Sequence, residues 1–282
     1  MRKDIIKGVT LGLKIWLMVL LVATAFAFPL SRYALEIEPN QLTIIRENMS
    51  IGLEKPVKIV FITDIHIETL SDGFLQSALD AANAEDPDYI FLGGDYAGIP
   101  GPEMEGLAAL NELHAAKGIF AVLGNHEYLV GDSCPNEHGI ENAENMSAFL
   151  ESMGIRVLKD DTVETEDFTL IGLDEYWACR SDYEKIFRDM NGSQPTVVLT
   201  HDQESIPEER YESISLVLAG HTHCGQVRLP IIGSIPKLQG FKGKYEMGIH
   251  QFDNDSYLYA SCGLGIKPRF LSPPDITIID LS

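Results

Sequence analysis

The chain has 282 residues, 45% of them apolar and 22% charged, a balance that supports one large folded domain and excludes long disorder. Its formal charge of −21, from 21 Lys and Arg against 42 Asp and Glu, repels nucleic acid, so no nucleic-acid partner is expected. A phosphate substrate is not excluded, because bound divalent metals reverse the local potential.

In chain order, Arg2, Lys3 and Lys7 precede an apolar stretch, residues 8–30, broken only by Thr10, Lys14 and Thr24. A bilayer takes about 20 apolar residues, so this stretch suffices if Lys14 snorkels to the surface. Residues 1–30 therefore read as a membrane anchor or signal-anchor, with membrane contact through residues 8–30. A cleaved signal ending at Ala25-Phe26-Ala27 is the competing reading. A buried globular helix is disfavoured, because no polar face breaks the run. Basic residues ahead of the segment predict a single-pass protein of the cell membrane whose domain lies outside the cytoplasm. Residues 31–56 read as an amphipathic lead-in forming an edge hairpin, and residues 57–282 as the functional domain.

Within that domain, residues 57–63 form an apolar, β-branched run that predicts a buried strand. Ser71 caps a predicted helix reaching Asn83, with Phe74, Leu75, Ala78, Leu79 and Ala82 on one face. A strand over 89–92, a helix over 103–116 and a strand over 119–123 follow. This alternation implies parallel strands with covering helices, an α/β fold. Further strands are predicted near 168–173, 196–200, 215–219, 247–252, 257–261 and 276–280. The later ones are closely spaced, so two sheets packed face to face with helices outside is the expected architecture. Four scattered cysteines, Cys134, Cys179, Cys224 and Cys262, suggest neither a zinc knuckle nor a dense disulfide framework, with one disulfide possible in an exported domain. Cys224 reads as a packed small residue rather than a redox-sensitive thiol.

Polar residues cluster just after the strands. Asp64-Ile65-His66 follows the first, Gly93-Gly94-Asp95 the second, and Gly124-Asn125-His126-Glu127 the third. Later runs lead into His201 and into Gly220-His221-Thr222-His223. Open α/β sheets gather ligand sites at the carboxyl ends of strands, so five segments should converge. One Asp-x-His or one buried His means little; five such segments in order point to metal. Carboxylate, imidazole and amide ligands suit Mn, Fe, Zn or Co rather than Mg or Ca. Asp64, His66, Asp95, Asn125, His201, His221 and His223 are too many for one tetrahedral ion, but suit two divalent ions sharing a carboxylate.

This ordered set resembles the calcineurin-like metallophosphoesterase superfamily. The segments from Gly220 to Gln226 and from Ser261 to Gly265, with the Pro-Pro-Asp ending, resemble its YkuE-type, membrane-associated bacterial branch. The resemblance implies a four-layered α/β/β/α sandwich. It implies that Asp64, His66 and His223 hold one metal and Asn125, His201 and His221 the other, with Asp95 bridging. His126 would meet the scissile phosphate and assist the leaving group, with Asn125 beside it. The acidic residue that often follows the bridging Asp is missing from Tyr96-Ala97-Gly98; Glu127 or another carboxylate is expected to replace it.

The implied activity is hydrolysis of phosphoester or pyrophosphate bonds in a small or lipid-linked phosphorylated substrate. A UDP-2,3-diacylglucosamine-type pyrophosphatase is one alternative, and a non-catalytic metal-binding membrane protein another; retention of every ligand and of His126 argues against the latter. A metallopeptidase is disfavoured, since HExxH is absent. Cations that could steady the phosphate are Arg180, Arg228, Lys242, Lys244, Lys267 and Arg269, with Lys267 and Arg269 the foremost candidates.

Overall fold

A computed structural model of the chain describes residues 2–98, 104–130, 134–184, 188, 190, 192–235, 245–252 and 255–282, without the side chains of residues 2–12 and 15. The first sheet is built on β2 (Val57–Ile62), whose side chains alternate between two hydrophobic cores. β3 (Tyr89–Leu92), β4 (Gly118–Ala121) and β5 (Arg156–Val157) follow in parallel beside it. On its other side, β14 (Asp275–Leu281) runs antiparallel to β2, and β1 (Thr43–Met49) runs parallel to β14. The second sheet has the order β12 (Gly248–Phe252), β13 (Ser256–Ala260), β9 (Leu216–Ala219), β8 (Thr196–Leu199), β7 (Thr169–Gly172), β6 (Asp161–Glu164). A small hairpin pairs β10 (Arg228–Leu229) with β11 (Gly233–Ser234).

The sheets pack face to face, as expected. Ile59, Phe61, Tyr89, Phe91 and Phe120 from the first meet Leu170, Val197, Leu199, Leu216 and Leu218 from the second. Tyr89 and Phe91 place their rings 5.0 and 6.3 Å from Phe168. On the outside of the first sheet, Val60, Ile62, Ile90 and Leu92 pack against α2 (Phe74–Asn83) and α4 (Glu137–Ser152). Between these two helices in sequence comes α3 (Met104–Leu107). The second sheet buries Ile171, Val198 and Val217 against Ile206, Tyr211 and Ile214, from the segments around two 3-10 turns.

Local details differ from the sequence expectation for identifiable reasons. Residues 31–56 form no hairpin: β14 lies between β1 and β2, so those sequence neighbours never pair. Ser71 is not the cap of α2; its hydroxyl bonds Asn40, and the helix starts after Gly73. The helix predicted over 103–116 begins outside the described residues and, after Met104–Leu107, tightens to a 3-10 turn ending at Glu112. Beyond it, the amides of Ala116 and Lys117 bond Pro87 and Asp88 instead of continuing a helix. Helix α4 was not anticipated, although Asn136 caps it by accepting from Gly139 N and Ala143, Met146 and Leu150 form a buried stripe. All four cysteines are paired, Cys134 with Cys179 and Cys224 with Cys262. That corrects both the single-disulfide expectation and the reading of Cys224 as a free packed residue.

The N-terminal segment forms α1 (Arg2–Arg32), a helix long and apolar enough to cross a membrane by length and composition. It passes through a π-helical turn (Tyr33–Ile37) into a 3-10 turn (Glu38–Asn40). There the buried Glu38 carboxylate accepts from the amides of Leu271 and Ser272 at 3.0 and 2.5 Å, while Arg269 N donates to Ala34 O. The helix end is thus joined to the loop before β14.

Phe91 is fully buried in the inter-sheet core. Phe91→Ala is expected to lower unfolding free energy by about 3–5 kcal/mol, read from the midpoint of reversible denaturant unfolding.

Candidate metal centre

Each strand that the sequence linked to a ligand delivers it. β2 runs into Asp64 and His66, β3 into Asp95, β4 into Asn125 and His126, β8 into His201, and β9 into His221 and His223. Leaving a pleated strand so that successive side chains face one point demands unusual backbone. Asp64, His66, Asp95, His221 and His223 all have positive φ, between 41° and 65°, a conformation kept only where surroundings enforce it. Close packing does the enforcing. A Cβ on Gly124 would lie 2.2 Å from Asp95 Oδ1, and one on Gly220 2.2 Å from Asp64 Oδ2.

Ligand-capable atoms of Asp64, His66, Asp95 and His223 all lie within 4.8 Å of one another, as do those of Asp95, His201 and His221. Asp95 belongs to both groups. His66 Nε2 and His201 Nε2 stand 3.4 and 3.3 Å from Asp95 Oδ2, and His223 Nε2 stands 3.6 Å from Asp64 Oδ1. Asn125 Oδ1 is 3.3 Å from His201 Nε2, its amide nitrogen being turned away to donate to Val130 O. All seven expected ligands therefore meet in one place. A third group, Cys224, Cys262 and Asp275, has its thiols spent on the disulfide.

The electrostatics call for added positive charge. Asp64 and Asp95 are buried, steadied by Thr63 Oγ1 and His221 N on Asp64 and by His126 N on Asp95. Burial works against a proton on His66, yet the Asp95, Glu68 and Asp64 carboxylates lift it to about 10. Burial opposes a charge on His201 too, and Asp95 again overrides it, holding that imidazole well above its ordinary value. His223, by contrast, is pushed well down by burial and by the neighbouring His66.

The hydrogen bonds leave room for metal ions as the source of that charge. His201 Nδ1 bonds Gly93 O at 2.8 Å, so in the neutral ring Nε2 carries the lone pair. That nitrogen faces Asn125 Oδ1, Asp95 Oδ2 and His221 Nδ1, the first two of which only accept, so one proton on it cannot satisfy both. His66 Nε2 and His223 Nδ1 are buried and make no hydrogen bond. These donors fit divalent cations.

His126 differs from the ligands: its side chain is 39% exposed, with Nε2 4.0 Å from Asp95 Oδ2 and its ring edge-on to His66. Glu127 does not partner it. The buried Glu127 carboxylate accepts from the amides of Gly124, Asp95 and Tyr96 at 2.8–2.9 Å, stapling two ligand loops together. Burial, with Asp95 nearby, pushes its carboxyl up to about 7.

Sequence reasoning did not name the carboxylate that stands beside the gap. A Cβ on Gly98 would lie 2.6 Å from Glu68 Oε1 and 3.7 Å from His126 Nδ1. Glu68 also stands 3.7 Å from His66 Nδ1. An acid from the loop after β2 thus stands beside Gly98, where an acid after β3 was expected, and Asp64-Ile65-His66-Ile67-Glu68 held the signal two residues beyond the ligands.

The cations expected to meet a phosphate divide sharply. Arg269 is fully buried, and its guanidinium donates to the carbonyls of Cys262, Gly263, Gly265, Ile266 and Ser272. It organises its loop and presents no donor to a substrate, which corrects the expectation of a phosphate contact. Lys267 is exposed. Arg228 bonds Cys224 O and Glu246, and the exposed Arg180 lies 3.9 Å from Asp174. Lys242 and Lys244 lie outside the described residues.

Two packed mixed sheets whose strand ends gather buried Asp, Asn and His around one shared carboxylate define an α/β sandwich with a cluster able to hold metal. Residues 57–225 match the calcineurin-like phosphoesterase family, and the chain belongs to it. An uncharacterized metallophosphoesterase of Helicobacter pylori is 30% identical over 240 residues, covering 81% of this chain and 60% of the relative. The chain thus spans less than two thirds of that relative's length. The phosphodiesterase YaeI of Escherichia coli is 28% identical over 92% of this chain and 94% of its own. The UDP-2,3-diacylglucosamine pyrophosphatase LpxG of Chlamydia trachomatis is 26% identical over 88% and 91%.

If Glu68 orients His126, Glu68→Ala should lower turnover of an aryl phosphodiester about tenfold while metal content and KM stay unchanged. Adding Gly98→Asp to that variant should restore turnover, because the new carboxylate would point into the same space. Loss of metal in Glu68→Ala, or no rescue, would make Glu68 a support for His66 alone.

Proposed function

We propose that this chain is a metal-dependent phosphoesterase that hydrolyses phosphoester or pyrophosphate bonds at a dinuclear centre. The observation that carries the reading is the shared position of Asp95, within reach of both ligand groups at once. Asp64, His66 and His223 would hold one divalent ion and Asn125, His201 and His221 the other, with Asp95 common to both. Such ions, when bound, supply Lewis acidity that draws charge from the phosphoryl group and lowers the pKa of water. The chain's own part is to fix and exclude. Gly93 O sets the His201 tautomer, Val130 O turns Asn125 Oδ1 inward, and the His221 and His126 amides hold the two carboxylates. The half-exposed His126 presents Nε2 on the Asp95 side, where it can give a proton to a leaving oxygen.

The membrane reading follows from α1, whose apolar side chains among the described residues are exposed along its length. We propose that it spans the cell membrane once and that the domain lies on the extracytoplasmic side. Two disulfides support that side, since such bonds persist in oxidising compartments and are rare in cytosol. The same observation weighs against the second reading, a pyrophosphatase acting on UDP-2,3-diacylglucosamine as the Chlamydia relative is named, which would require a cytoplasm-facing site. A lipid-linked phosphate in the outer leaflet keeps what the two readings share.

Asp95→Asn should remove most bound metal and reduce bis-p-nitrophenyl phosphate hydrolysis by at least about a hundredfold, since a weakened bridge loosens both ions. Near-normal turnover with two equivalents of metal would sink the dinuclear assignment. For the side of the membrane, protein denatured straight from cells should yield no alkylatable thiol before reduction and four after it. Four free thiols before reduction would place the domain in the cytoplasm.

A further inference from the structure

Away from the metal centre, the surface least explained by folding is the tip of the β10–β11 hairpin. It reads Leu229-Pro230-Ile231-Ile232; Ile231 is completely exposed, Ile232 is 54% exposed and Leu229 36%. Apolar side chains grouped in water carry a hydration cost that a turn has no need to bear. Turn chemistry does not explain the choice either. Ile231 has a φ of 72°, where glycine or asparagine is at ease and a β-branched residue is strained.

The hairpin is tied to the end of α1. Arg228 N donates to Phe270 O at 2.8 Å, Phe270 N donates to Gln226 O at 2.9 Å, and Ile235 N closes back on Val227 O. The Phe270 ring meets the ring of Tyr33, the first residue past the helix, edge to face at 6.0 Å. From Arg228 the tip is three residues on, at most about 10 Å of extended chain. Around the same joint, Leu35, Ile37 and Leu271 are also exposed.

We infer that the hairpin tip is a second membrane contact, inserted in the surface of the bilayer that α1 crosses. Its partner is the acyl region of a lipid bilayer: the tip carries no cation, and a chain of charge −21 gains nothing from anionic headgroups. The contact matters for the site because β10 starts five residues after His223, whose carbonyl accepts from Ser272 in the joint's loop. Seating the tip in lipid sets the His223 side of the metal centre against the leaflet, from which an amphiphilic phosphate ester would enter. The inference rests on reading α1 as a span, and not on the metal assignment.

The test uses the full chain in phosphatidylcholine vesicles with plain or brominated acyl chains, which quench only indole that reaches them. Trp16 and Trp177 are the native tryptophans, and quenching of Trp16 in the wild type reports the span itself. Against a Trp16→Phe background, Ile231→Trp adds one indole at the tip. We expect its added emission to fall at least twofold in brominated vesicles. Unquenched emission at position 231 with Trp16 quenched overturns the hairpin contact and leaves the span intact. Trp16 unquenched as well removes the span and the inference with it.

Discussion

Two carboxylates buried side by side at neighbouring strand ends govern most of what surrounds them. Asp64 and Asp95 are almost wholly removed from water, where a charge is tolerated only if opposite charge and hydrogen-bond donors meet it. The imidazoles ring them: His201 spends one nitrogen on Gly93 O, and His66 and His223 each keep a buried nitrogen without a hydrogen-bond partner, an arrangement that suits lone-pair donation to cations. The positive-φ backbones, the glycines that press against the carboxylates and the Glu127 staple all follow from holding two like charges together. Each is strained or costly alone, and the bound ions would be what makes the set favourable.

That constraint also explains what was legible in the sequence. Strand cores with a ligand at the carboxyl end declare themselves by apolar runs and by chemistry that has no use elsewhere in a soluble surface. All seven expected ligands therefore meet. Pairing between distant segments leaves no such mark. Glu68 stands two residues past His66 and looks like any exposed acid until Gly98, thirty residues away, is seen to have made room for it. Arg269 misled for the opposite reason. A cation after a glycine-rich turn reads as a phosphate contact, but burial turns each of its three guanidinium nitrogens to a carbonyl. The lead-in failed because β14, the last strand, takes the place beside β2 that a hairpin would have used. Helix α4, by contrast, carries a local signal, an Asn136 cap and a buried stripe, inside an otherwise polar run.

The loop between β13 and β14 carries more than its own conformation. Arg269 gathers its carbonyls and Cys262 ties it to Cys224, the residue after His223. Gly263 and Gly265 press on Asp64 and His66. The cost of burying a guanidinium is met by five carbonyls, with Asp275 and Glu38 near enough to favour its charge, although burial still lowers its pKa to about 10. One loop therefore supports a ligand strand end, a ligand histidine and a disulfide together.

The same loop makes the end of α1 part of the domain. Glu38 takes two of its amides, Ala34 O accepts a third, and Tyr33 covers Phe270. A tether needs only length; a helix end hydrogen-bonded into the loop that carries Ser272, and through it the carbonyl of His223, fixes direction as well. A free-swinging domain would present its metal centre to any soluble ester. With α1 across a membrane, a domain docked this way would hold its carboxylate-and-imidazole cluster at one height and one angle to the bilayer.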